Sequence, residues 1–122
     1  MQNEVTMEQN PVVDKSFRFA VRIVNLYKYM IREHKEYVLS KQILRCGTSI
    51  GANIAEGQRG QSKADFAAKM NIALKEATET NYWLRFLHAT DYLTKIEFNS
   101  LSSDCLELEK LLTAIIKTTK KQ

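Results

Sequence analysis

One proline and four glycines in 122 residues leave little material for the closely spaced turns of an all-β fold. Cysteine and histidine are as scarce. Cys46, Cys105, His34 and His88 are too few, at the wrong spacing, to build a zinc site. Neither histidine has a glutamate three residues before it, so the Glu-x-x-His pairs of a carboxylate-bridged diiron bundle are missing. The chain contains no phosphate-binding Walker loop, dinucleotide fingerprint or nucleophile elbow, and Ser49 has no histidine at helical spacing. No catalytic residue, cofactor or metal is therefore expected. No apolar run approaches the length needed to cross a bilayer, and Met1–Asp14 lacks the apolar centre of a secretory signal. The two cysteines accordingly read as reduced core filler in a cytoplasmic protein.

What remains is a chain that is 44% hydrophobic and 26% charged, enough apolar material for one domain with a core. Its 18 Lys and Arg against 14 Asp and Glu give a net charge of +4. A balance this mildly basic is compatible with nucleic acid and equally with an ordinary solvated surface.

Apolar residues recur at steps of three and four along four segments, which predicts helices over 14–33, 38–56, 62–90 and 94–118. Residues 1–13 read as a flexible N-terminal arm, with Pro11 near its end and Asp14 as the first helix cap. Residues 119–122 read as a basic tail. Ser62-Lys-Ala-Asp65 and Thr94-Lys-Ile-Glu97 resemble capping boxes, and Gly57-Gln-Arg-Gly60 is the clear break between the second and third segments. Short links between four helices predict an all-α fold, an antiparallel up-down-up-down four-helix bundle spanning 14–118.

Two of the helices carry more than a core stripe. On the first, Phe17, Ala20, Val21, Val24, Tyr27 and Ile31 form the expected core stripe. A second apolar row, Phe19, Ile23, Leu26 and Met30, widens the apolar arc beyond what one face needs and is a candidate oligomer interface. On the second helix Ile43, Cys46, Ile50 and Ile54 form an apolar stripe beside the small residues Gly47, Thr48, Gly51, Ala52 and Ala55. A third stripe is polar: Gln42, Arg45, Ser49, Asn53 and Glu56. Arg45 and Glu56 lie too far apart to pair directly, so Glu79 of the third helix is the natural partner for Arg45. The plainest reading is a buried hydrogen-bonded network that fixes helix register or subunit contacts.

The run Ser40-x-Gln42-x-x-Arg45-x-x-Thr48-Ser49-Ile50-x-x-Asn53-Ile54-Ala55-Glu56-Gly57 resembles the signature of the four-helix bundle protein family, also called the 23S rRNA intervening-sequence protein family. The likeness continues through Asp65-Phe66, Ile72-Ala73, Glu76-Ala77-x-Glu79-Thr80 and Tyr82-Trp83-Leu84. That family is similar to the accessory protein of diversity-generating retroelements, a basic barrel of five subunits. The resemblance implies a homo-oligomer, a pentameric ring that associates with RNA or DNA, and no established catalytic activity. For nucleic-acid binding the candidates are Lys15, Arg18, Arg22 and Arg32 on the first helix, Tyr29 for stacking and Arg59 in the glycine-bounded turn. The expectation is a non-enzymatic homo-oligomeric scaffold acting as a nucleic-acid-binding accessory protein. The alternative is a protein–protein interaction module that binds a partner protein without nucleic acid.

Overall fold

The computed structural model describes residues 10–121. Four helices account for nearly all of them: α1 (Pro11–His34), α2 (Leu39–Gly57), α3 (Lys63–Ala89) and α4 (Lys95–Lys121). Consecutive helices pack along their lengths, and α4 returns to α1 more loosely to close the square. The short links make this an antiparallel four-helix bundle.

The helix ends follow from local chemistry. Pro11 opens α1, where its missing N–H costs no hydrogen bond, so Pro11–Val13 are helical and Val12 enters the core. The expected arm thus loses its last three residues to the helix, and residues 1–9 lie outside the described residues. Asp14 is not the cap; it lies in the first turn, where Oδ2 forms an ion pair with Arg18 Nη2 at 2.9 Å. Lys35 ends α1 in the left-handed region at φ 53, and its N–H donates back to the Ile31 carbonyl. Glu36 then caps α2: its carboxylate accepts from the backbone N–H groups of Val38, Leu39 and Ser40 at 2.7–3.1 Å. Partial burial works against ionisation, but these backbone bonds outweigh it and hold the Glu36 carboxyl below the usual carboxylate range. Ser62 Oγ accepts from the Asp65 N–H at the start of α3. At α4 the capping box is reciprocal, with Thr94 and Glu97 each bonding the other's backbone N–H. Residues 119–121 continue α4, so the expected tail is helical up to Lys121, and Gln122 lies outside the described residues.

The core corrects the reading of α1. Phe19, Ile23, Leu26 and Met30, the candidate oligomer interface, are buried within the subunit, none more than 7% exposed. Phe17 and Val21, placed on the core stripe, instead point outward and are 69% and 47% exposed. The reason lies on α2. A Cβ added at Gly47 would stand 2.8 Å from both Cγ atoms of Ile23, so that glycine opens the space into which the Ile23 row seats. Gly51 extends the close approach, with the Ser16 carbonyl group and hydroxyl 3.3–3.5 Å from its missing Cβ. Helix α2 fills the interior with Ile43, Cys46, Ile50 and Ile54; α3 adds Met70, Ala73, Ala77, Thr80, Leu84 and Leu87; all are fully buried. Helix α4 contributes Leu101, Cys105, Leu108 and Leu112. Both thiols are free and buried. Burial pushes the Cys105 thiol up to about 12, helped by Glu109 and the neighbouring Cys46.

Candidate functional site: the polar seam of α2 and α3

The antiparallel pairing of α2 with α3 brings the polar stripe of one helix against carboxylates of the other. Arg45 Nη2 donates to Glu79 Oε2 at 2.7 Å, the partner expected from the sequence, and Arg45 Nη1 lies 3.6 Å from Glu76. Glu79 Oε2 also accepts from the indole N–H of Trp83 at 3.2 Å, one helical turn on. Ser49 Oγ donates to Glu76 Oε2 at 3.2 Å, and Asn53 Nδ2 donates to the Ser49 carbonyl and hydroxyl. One turn further, Lys69 Nζ meets Glu56 Oε1 at 2.7 Å. Gln42 is exposed and contributes none of these bonds.

This seam lies on the subunit surface, which corrects the expectation of burial. The Arg45 side chain is 55% exposed and that of Glu79 38%; Glu76, at 18%, is the best-covered carboxylate. Ion pairs in such positions contribute about 0.2–1 kcal/mol each, because water already solvates both charges. Glu76 and Trp83, which stand in the signature-like run, and Lys69 complete the network, though none of the three is among the site residues expected from the sequence. Glu76, Glu79 and Trp83 follow one another at steps of three and four, the signal that places them on one helix face. Chemically the seam offers a guanidinium, three carboxylates and a hydroxyl. Ser49 faces a carboxylate rather than an imidazole, so the seam holds no serine–histidine pair.

The basic strip of α1 is neutralised by carboxylates. Lys15 pairs with Glu107 at 3.1 Å and Arg22 with Asp104 at 2.7 Å, both reaching across to α4. Arg22 Nη2 also donates to Ser100 Oγ at 2.9 Å. Arg18 pairs with Asp14 and Arg32 with Glu33. Tyr29 Oη lies 3.3 Å from His34 Nε2, and the two rings meet edge to face. Arg59, in the α2–α3 turn, is exposed and makes no ion pair among the described residues. Lys15 and Arg22 therefore act first as clasps closing the loose α1–α4 edge.

A second surface feature lies where α1 crosses α2. Val13, Ala20, Gly51, Ala52 and Ala55 line an apolar groove of about 270 Å³, with Phe17 and Thr48 on its rim. Among the described residues no cluster of His, Cys, Asp and Glu is placed to hold a metal ion, and no helix is long and apolar enough to cross a membrane.

Fold and surface together define a small all-α bundle whose polar residues join helices. The chain belongs to the 23S rRNA-intervening sequence protein family, whose model matches residues 8–114. A similar solved structure is the crystal structure of a protein with unknown function from the S23 ribosomal protein family of Bacteroides thetaiotaomicron. It is 60% identical, covers 87% of this chain and 98% of its own, and superposes with a TM-score of 0.86. Comparison with functionally curated proteins finds no match.

Proposed function

We propose that this chain is a non-enzymatic, homo-oligomeric scaffold whose copies meet through the outer face of α1. The observation that carries this reading is the exposed apolar row of Phe17 and Val21 beside the apolar groove formed with α2. A phenyl ring that is 69% exposed on an ordered helix is stabilised once a partner surface removes it from water. Ring and groove form one continuous apolar patch on each chain, a surface that copies can cover for one another. The likeness of family members to the retroelement accessory protein supports five copies, and the two free thiols support a cytoplasmic setting.

Association with RNA or DNA is the secondary role. Repetition of Lys15, Arg18, Arg22, Arg32 and Arg59 around a ring supports it, and the four ion pairs within that strip argue for weak, strongly salt-dependent contact. The acidic partners favour a partner protein over nucleic acid where the two readings compete. Light scattering on the purified chain tests the scaffold reading: a mass five times the 14.1 kDa subunit is expected, and a monomer at micromolar concentration overturns it. A 260/280 nm absorbance ratio raised by co-purifying nucleic acid would promote the secondary role, and its absence at low salt would remove it.

A further inference from the structure

We infer that the pocket between the last turns of α3 and the first turns of α4 binds a small aromatic carboxylate. The pocket is lined by Tyr82, Arg85, Phe86, His88, Ala89 and Phe98 and encloses about 460 Å³, within the range of small-molecule sites. It is independent of the α1 surface, so this inference goes beyond the scaffold reading.

Three observations carry it. First, the walls are aromatic and ordered while remaining open to solvent. Tyr82 is 52% exposed and Phe86 37%, although each ring is braced against Trp83 with centroids 5.1 and 5.7 Å apart. Phe98 also lines the pocket, stacked on His88 at 4.9 Å with only 12° between the planes. Rings held in this way offer a planar guest contact at little entropic cost.

Second, the rim carries an available cation. Arg18, Arg22, Arg32 and Arg45 are each bound to a carboxylate at 2.7–2.9 Å. Arg85 is exposed and makes no ion pair among the described residues, and no carboxylate lines the pocket. Its planar guanidinium matches the two oxygens of a carboxylate. Third, the histidine is oriented. His88 Nδ1 lies 3.1 Å from the Leu93 carbonyl oxygen, which can only accept, so Nδ1 carries a proton and Nε2 is left as the second ring nitrogen. One guanidinium above an apolar slot suits one carboxylate on a ring, whereas a nucleic-acid strand needs a run of cations along its phosphates.

The same chemistry occurs in a free aromatic acid and in the C-terminal phenylalanine of a polypeptide. Isothermal titration calorimetry of the full chain with 3-phenylpropionate, its neutral amide and acetate tests the site, with Gly-Gly-Phe as the polypeptide arm. We expect saturable binding of 3-phenylpropionate, at least tenfold weaker binding of the amide and none of acetate. Gly-Gly-Phe binding as tightly as the free acid would assign the site to chain ends, and weaker binding would assign it to small acids. Arg85→Gln should bring the acid down to the affinity of the amide with an unchanged circular dichroism spectrum, and Arg85→Lys should recover part of the difference. Equal affinity for acid and amide, or no saturable heat with either, overturns the inference.

Discussion

Replacing Gly47 by alanine separates helix propensity from packing at the contact that orients α1. In an isolated helix the change would stabilise by about 1 kcal/mol, because glycine is the poorer helix former. Here the new methyl would stand 2.8 Å from Ile23 Cγ1 and Cγ2 and 3.2 Å from its Cβ. Ile23 is fully buried and β-branched, so it has no flexible end to swing aside. Overpacking of this kind costs about 1–3 kcal/mol, and with the propensity gain subtracted a net loss of up to about 2 kcal/mol is expected. At its upper end that corresponds to a fall in Tm of roughly 8 °C for a domain of this size. Truncation at Ile23→Ala costs about 2–5 kcal/mol by itself. It also removes both clashing atoms, so in that background Gly47→Ala should regain its helical advantage of about 1 kcal/mol. The coupling energy of the double-mutant cycle is then about 1–3 kcal/mol, the overpacking cost itself and beyond the error of separate sites. Gly51→Ala, whose nearest neighbour would be the Ser16 carbonyl oxygen at 3.3 Å, should be close to neutral. Urea unfolding followed by far-ultraviolet circular dichroism, at one fixed protein concentration, reads all four variants. If Gly47→Ala stabilises the wild-type background as much as the Ile23→Ala background, the close approach of α1 and α2 is refuted.

Three further outcomes follow from the geometry. Glu36→Gln should destabilise by about 1 kcal/mol at pH 7 by removing the charged cap of α2. Because the folded Glu36 pKa is depressed, that advantage is present above the ordinary carboxylate range and is lost as pH falls through the folded value. Melts of the two proteins should therefore converge in acid, and a gap that persists there contradicts the cap. With Cys105 raised to about 12 and Cys46 raised by burial, neither thiol should react with Ellman's reagent at pH 8 before the chain unfolds. Rapid stoichiometric labelling of either thiol in the native protein contradicts their place in the core. Arg45→Met should cost no more than about 1 kcal/mol in a thermal melt, as befits an exposed ion pair; a loss of about 3 kcal/mol or more means that the seam is buried in the assembly.

The four helices were readable in the sequence because each carries a stripe at steps of three and four. Two of their starts are also written as capping boxes, at Ser62 and Thr94. Where α1 begins was less readable: Pro11 marks a helix start as readily as the end of an arm, and Asp14 suits a first turn as well as a cap. Periodicity also showed two apolar rows on α1 without saying which one faces inward. That choice is made by the partner helix, where Gly47 admits Ile23 and nothing comparable receives Phe17. The Arg45–Glu79 pair was inferable from two polar positions on adjacent antiparallel helices, but its exposure was not, since burial depends on what the outer face of the seam meets. The pairs Lys15–Glu107 and Arg22–Asp104 were out of reach because α1 and α4 meet only through closure of the bundle. No local pattern sets the register of two helices so far apart in the chain.

The scaffold reading stands on the outward face of α1, and the most direct measurement is the solution mass of the chain with Phe17→Asp and Val21→Asp combined. Ile96→Asp, at a position 82% exposed on α4, serves as the control for adding charge to an exposed apolar site. Light scattering should give a multiple of the 14.1 kDa subunit for the wild type and the control, and a folded monomer for the double variant. A double variant that keeps the wild-type mass would contradict assembly through this face.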